Sequence, residues 1–277
     1  MRRLALGSVV LLGLLLPGLA RAVDPFEIQV YDGTANAPGV PGLELHVNRV
    51  FDGVRSADPP ELPQHHQTHL TLEPSFGVTP FWEVGAYLQS ALLADGSFDY
   101  AGAKLRSKFV SPPGWHEHLR IGVNLELSFL PHRFDRSGEA TELRPILAWE
   151  SRAFLFALNP IVGIALASPG WHEGPTFEPA LMALYKWREQ LAFGIEYYAD
   201  LGAFGSGFAP WSRQEHYLFE AVNLTSIPRL ELNLGIGEGL SAASNPLIVK
   251  LIVGYAWEPS ARPASSTAEP SCGEEAE

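Results

Sequence analysis

Between residues 119 and 129 the chain reads LRIGVNLELSF, and apolar and polar residues alternate there without a break. Leu119, Ile121, Val123, Leu125, Leu127 and Phe129 fall on one side, and Arg120, Gly122, Asn124, Glu126 and Ser128 on the other. Successive side chains of an extended chain point to opposite faces, so this is a strand with one wholly apolar side. Eleven further segments repeat the pattern, approximately 43–51, 68–78, 82–92, 99–109, 141–149, 153–165, 176–187, 190–200, 215–225, 229–237 and 247–257. Sustained helical spacing is found nowhere, and after residue 22 no apolar run is long enough for a membrane helix. A chain patterned this way is all-β.

Most of these segments run about nine to thirteen residues, close to what a tilted strand needs to cross a bilayer. Their links alternate in length. Links 79–81, 150–152, 188–189 and 226–228 are tight, whereas 52–67, 130–140, 166–175, 201–214 and 238–246 are long. Short periplasmic turns and longer outer loops produce this alternation. One pair runs against it, since the predicted outer loop 93–98 is shorter than the predicted periplasmic turn 110–118. Trp82, Trp149, Trp187 and Trp257 stand beside the tight-turn ends or the final strand end, all in the apolar phase, and Phe109 joins them. Indole prefers the lipid–water interface, where its ring is apolar and its N–H is wet. A secreted β-sandwich would instead bury its aromatics in mid-strand. The pattern predicts a closed antiparallel transmembrane β-barrel of about twelve strands with an aromatic girdle. Closure follows because backbone groups in hydrocarbon need internal partners.

The ends of the chain carry their own signals. Arg2 and Arg3 precede an apolar run from Leu4 to Ala20, broken by Pro17 and followed by Ala20-Arg21-Ala22, the pattern of a cleavable export signal over 1–22. The barrel is expected over 23–257. Gly254-Tyr255-Ala256-Trp257 resembles the terminal signal read by outer-membrane assembly machinery, and 258–277, rich in Pro, Ser, Ala and Glu, reads as a disordered periplasmic tail. This places the protein among the lipids of a Gram-negative outer membrane, with both termini in the periplasm. A net charge of −12 argues against a nucleic-acid partner. The single cysteine, Cys272, excludes a disulfide framework and a thiolate metal site.

Several stretches carry a resemblance: EIQVYDG (27–33), GLELHVN (42–48), ELRPILAW (142–149), NPIVG (159–163), FEPAL (177–181), GIEYYADLG (194–202) and GIGEGL (235–240). Together they resemble an uncharacterised family of proteobacterial outer-membrane β-barrel-like proteins over nearly all of 26–257. The resemblance implies an outer-membrane barrel with a transporter-like shape. It implies no substrate and no site residue.

Charge inside the strands points to the lumen. Pro74, Pro145, Pro160 and Pro179 follow Glu73, Arg144, Asn159 and Glu178. Proline cannot donate to a ladder, so each is expected to mark a bulge that turns its polar neighbour inward. Lys104, Arg106, Lys108 and Arg120 share the inward phase of two neighbouring strands and would form a positive wall. Inward acids oppose them, at Glu44, Glu73, Glu83, Glu126, Glu150, Glu178, Glu196, Asp200 and Glu231. Such a lumen either orients a small polar solute in passage or plugs itself with salt bridges. Twelve strands lie between the filled and the open sizes of barrel. A plugged barrel would work as a structural or interaction protein through loops 52–67 and 201–214.

Other chemistry is thinly supported. His65, His66 and His69 lie near the first long loop and His116-Glu117-His118 in a turn, so the two groups fall at opposite ends and lack a complete ligand set. Ser-Pro-Pro-Gly-Trp-His-Glu (111–117) echoes Ser-Pro-Gly-Trp-His-Glu (168–173), read as turn chemistry with a Trp anchor. A rim-bound lipid hydrolase or acyltransferase would need a nucleophile within reach of a base. Ser206 and His216 are in the right region, but no G-x-S-x-G occurs, and Gly235, Gly237 and Gly239 open no helix. The chain is read as non-enzymatic, without cofactor or metal.

Overall fold

The computed structural model describes residues 23–257 except 169, 206 and 228, and of 226 and 227 only the backbone. The expected export signal 1–22 and tail 258–277 lie outside the described residues. Twelve antiparallel strands close on themselves in sequence order, and β1 pairs with β12 from Gly42↔Ala256 to Asp52↔Leu247. The strands are β1 (Pro41–Asp52), β2 (Thr68–Thr79), β3 (Trp82–Leu92), β4 (Phe98–Val110), β5 (Leu119–Phe129) and β6 (Glu139–Glu150). The circle is completed by β7 (Phe154–Ala165), β8 (Thr176–Arg188), β9 (Leu191–Asp200), β10 (Glu215–Ile227), β11 (Leu230–Gly239) and β12 (Leu247–Ala256). Every boundary falls within two residues of the alternation pattern.

The alternation also sorts the faces. On β5, Ile121, Leu125 and Phe129 are exposed on the outside, while Asn124, Glu126 and Ser128 are buried inside. Leu72, Leu105, Leu147, Phe156, Ile195, Leu234 and others continue the exposed apolar band around the barrel. A soluble monomer rarely carries so continuous an apolar surface; it is the surface that a bilayer covers. Trp82, Phe109, Trp149, Trp187 and Trp257 all stand at the short-turn end of this band. Trp82 pairs with Phe109 across β3–β4, and their rings stack at 6.0 Å.

The prolines correct the bulge expectation. Register shifts lie at Val50/Asp52, Gly77/Thr79, Gln89/Ser90, Lys186/Arg188 and Leu224/Ile227, and none at Pro74, Pro145, Pro160 or Pro179. The ladder instead skips positions: β2–β3 passes from Leu72↔Leu88 to Ser75↔Gly85, and β6–β7 from Leu143↔Val162 to Leu147↔Leu158. Pro160 faces Pro179 across β7–β8. A missing N–H therefore costs local pairing but inserts no residue, because the strands on either side hold the register.

Residues 23–40 precede the first expected strand and form no strand of the wall. Phe26, Glu27, Ile28, Val30 and Tyr31 are instead buried inside the barrel. Val23 lies against Glu215 at the long-loop end, Asp32 against Arg120 at the short-turn end, and Asn36 against Glu83 beside the β2–β3 turn. The segment thus runs down the lumen before turning out into β1. Gly33 takes φ +81° at the turn, with the Arg120 Cβ only 3.0 Å from where its own Cβ would stand. At Gly77 a Cβ would meet the Ala37 carbonyl oxygen at 2.2 Å, so the returning chain lies directly on β2. Val23 and Trp257 consequently lie at opposite mouths of the barrel.

Candidate functional site: a lumen with two walls and an internal segment

The lumen has a charged wall and an apolar wall. On the charged wall Lys104 meets Asp24 (2.5 Å), Glu126 (3.3 Å) and Glu27 (3.4 Å). Arg106 meets Glu73 (2.6 Å) and Glu83 (2.7 Å), and Lys108 meets Glu83 (2.9 Å). Arg144 meets Glu142 (2.7 Å) and Glu27 (3.1 Å), and Arg120 bridges Asp32 and Glu150 at the short-turn mouth. The basic residues of β4 and β5 are thus matched by acids, and three of those acids, Asp24, Glu27 and Asp32, come from the internal segment. Across the lumen, Leu155, Ala157 and Ile161 of β7 and Ala180, Met182 and Leu184 of β8 join Ile28 and Val30 in one apolar cluster. The segment therefore alternates too: Glu27 and Tyr31 serve the charged wall, Ile28 and Val30 the apolar one.

A chain that crosses a barrel without joining a ladder must satisfy its backbone in another way. Here lumen side chains do so. Asn48 donates to the Pro25 carbonyl (2.9 Å), Thr71 to Phe26 (3.0 Å), Lys250 to Ile28 (3.0 Å) and Arg144 to Gln29 (3.3 Å). The Asn159 amide accepts from the Tyr31 N–H (2.7 Å) and donates to the Tyr31 carbonyl (3.0 Å). Arg120 donates to the Asp32 carbonyl at 2.8 Å. Tyr31 and Tyr87 share a hydroxyl–hydroxyl bond of 2.6 Å, and the Arg144 guanidinium lies 4.5 Å over the Tyr31 ring.

This layer divides the lumen. Toward the short-turn end lies a cavity of about 240 Å3 lined by Gln29, Glu44, Arg106, Glu196, Asn233 and Lys250. A mouth cavity of about 680 Å3 adjoins it, and Thr34, Glu44, Lys108 and Glu231 line both. Toward the long loops lies a cavity of about 190 Å3 lined by Phe26, Glu61, Arg133, Glu173 and Glu215. Among the described residues, none that lines these cavities on one side of the layer lines one on the other.

The eight residues singled out from sequence are all placed inside the barrel, but not in one ring. Lys104, Arg144 and Asn159 hold the segment directly; Arg120 does so at the short-turn mouth. Glu73, Arg106 and Lys108 form a cluster around Glu83 and His46. Glu178 stands apart, accepting from Thr176 (2.6 Å) beside the cavity toward the long loops. His46, Tyr87, Lys250 and the internal segment went unmarked in the sequence. Lys250 occupies the inward phase of β12, opposite Val249 and Leu251, so the phase rule alone points to it. The glycines of β11 make room: a Cβ at Gly237 would strike the Phe219 ring at 2.4 Å, and one at Gly235 the Lys250 chain at 2.9 Å.

Glu44, His46 and Glu73 each bring one donor atom within 4.8 Å of the others, a donor set of the kind that holds a divalent metal. The other oxygen of Glu73 is engaged by Arg106, whose charge opposes a metal ion there. The first histidine group does not converge: His65 stacks on His66 at 3.8 Å beside Asp52, and His69 is buried on β2 against Phe26. His118 and His172 stand at opposite ends, as do the two Gly-Trp-His stretches that contain or adjoin them. At the rim, His216 has its ring nitrogens bonded to Tyr197 (2.6 Å) and Gln214 (2.8 Å) and its face covered by Trp211 at 3.9 Å. Ser206 lies outside the described residues.

No family model matches the sequence, and no curated protein matches it. Solved structures do. The COG4313 outer membrane channel from Pseudomonas putida F1 superposes with a TM-score of 0.57 at 10% identity, covering 83% of this chain and 100% of that one. The KdgM porin gives 0.52 at 10% identity, over 78% and 99% of the two chains. The NanC porin gives 0.51 at 8% identity, over 79% and 100%. At such identities the likeness establishes the fold alone, and that fold is the twelve-stranded barrel of outer-membrane channels.

Proposed function

We propose that this protein is an outer-membrane channel for a small polar solute, closed at rest by its own residues 23–33. The observation that carries this reading is the pair of cavities that share no lining residue, with a non-ladder segment between them. A barrel built only as a structural shell needs no such arrangement, since inward side chains suffice to fill it. The segment is held by separate side-chain bonds, which can break one at a time, whereas the wall is held by continuous ladders. The polar lining of the inner cavity, with both signs of charge, supports a polar solute. Reconstitution in a planar bilayer tests the reading. Deletion of 23–33 should convert brief, small openings into a stable open level, and identical conductance in the two proteins sinks it.

A second reading has one observation in its favour. Leu155 and Met182 line the inner cavity opposite Arg106 and Glu73, so a solute with one apolar flank would match both walls. Liposome uptake of paired solutes with and without an alkyl chain separates the two.

A further inference from the structure

The segment that fills the lumen begins, among the described residues, at Val23, the residue that follows the expected export signal 1–22. The Val23 nitrogen donates to Glu215 Oε2 at 3.2 Å, and the Val23 side chain packs against the apolar cluster, so this nitrogen is held in place from both sides. Glu215 is an incompletely matched acid. Its other donor is the neutral Tyr217 hydroxyl at 2.8 Å, and the other carboxylates acting on it are Glu178 and Glu61. Among the described residues no Lys, Arg or His nitrogen lies within 4.0 Å of its carboxylate. In the same vestibule Arg136 is turned to Glu173 (4.0 Å) and Arg133 to Asp99 (2.6 Å).

We propose that cleavage after Ala22 supplies the missing cation: the freed Val23 ammonium pairs with Glu215 and locks the internal segment in the lumen. Hydrolysis of the Ala22–Val23 amide adds one water, leaving a carboxylate on Ala22 and, once protonated, an ammonium on Val23. The position of the nitrogen does not change. What changes is its charge and its donor count, from one N–H to three. A charge-assisted bond to a carboxylate is roughly twice as strong as its neutral counterpart. Processing would thus strengthen the seat of the closing segment once the leader is removed, with no further partner. The proposal deepens the reading of 23–33 as the closing element and rests on it for its consequence, though not for the pair itself.

The test uses the full-length chain exported with its own leader and extracted from the membrane. N-terminal sequencing should find Val23 first. Competitive acetylation of the α-amine, read by mass spectrometry of the terminal peptide, should be suppressed about tenfold at pH 8 relative to Glu215→Gln, as expected when a carboxylate holds the amine protonated above its ordinary pKa of about 7.7–8.0. If Glu215→Gln does not assemble, one glycine inserted between Ala22 and Val23 shifts the ammonium by about 3.5 Å of chain and should give the same loss of protection. A different first residue, or equal reactivity with and without the Glu215 carboxylate, overturns the proposal. Protection of the amine in a barrel whose conductance ignores deletion of 23–33 would keep the pair and discard the closure.

Discussion

The two walls of the lumen share one fold and differ in nearly everything else. On β4–β6 the inward positions carry Lys104, Arg106, Glu126 and Arg144, each matched by an opposite charge within hydrogen-bond reach. On β7 and β8 the middle inward positions carry Leu155, Ala157, Ile161, Ala180, Met182 and Leu184 around the polar Asn159, and Thr176, Glu178 and Lys186 lie only toward the ends of β8. The first wall is held by charges that are costly to desolvate and costlier to leave unpaired. The second is held by apolar area and packing. The contrast teaches that a barrel interior needs only to be satisfied, and that residues 27–31 satisfy both walls at once because their own side chains alternate.

Breaking the charged wall should have the largest effect. Glu27→Ala removes the carboxylate shared by Lys104 and Arg144 and should lower unfolding stability in detergent by about 3 kcal/mol, with more frequent channel openings. A loss under about 1 kcal/mol would mean that Asp24, Glu126 and Glu142 carry the wall without it. The apolar wall should respond differently. Leu184→Ala, at a side chain 1% exposed, should cost about 2–4 kcal/mol through the cavity it leaves, with ion selectivity unchanged. Altered reversal potentials in a salt gradient would contradict the division between the walls.

The seat of the returning chain comes next. Gly77→Ala forces a Cβ toward the Ala37 carbonyl and should cost about 1–3 kcal/mol, seen as faster proteolysis near residue 37 from the short-turn side. Wild-type proteolysis rates in that variant would show that the strand yields instead of the segment. The smallest change belongs to an ion pair of the same chemistry at the exposed long-loop mouth. Asp99→Asn breaks the Arg133 bridge, whose arginine is 45% exposed, and should shift stability by less than about 1 kcal/mol. If its effect equals that of Glu27→Ala in the same unfolding assay, burial is not what separates the two regions.

Legibility in the sequence followed the same divide. The charged wall could be read in advance, because Lys104, Arg106, Lys108 and Arg120 contradict the apolar phase beside them and so declare which side faces in. On β7 and β8 that contrast is missing. Leu155 and Phe156, or Leu181 and Met182, are neighbours of opposite orientation and similar polarity, so period-two reading finds the strand but not its face. The prolines misled for a related reason: a missing donor is a local fact, whereas register belongs to the whole ladder.

Strand number, strand boundaries and the aromatic level at the short turns were decided by local pattern, since side-chain direction in an extended chain depends only on position parity. The path of residues 23–40 was not. Glu27, Ile28, Gln29, Val30 and Tyr31 alternate like a strand, yet the backbone of residues 25–31 bonds to Asn48, Thr71, Arg144, Asn159 and Lys250, which come from five different strands. Those side chains converge on one segment only after the barrel closes. Closure creates the lumen, and only then does a short segment with both kinds of side chain have a place to go.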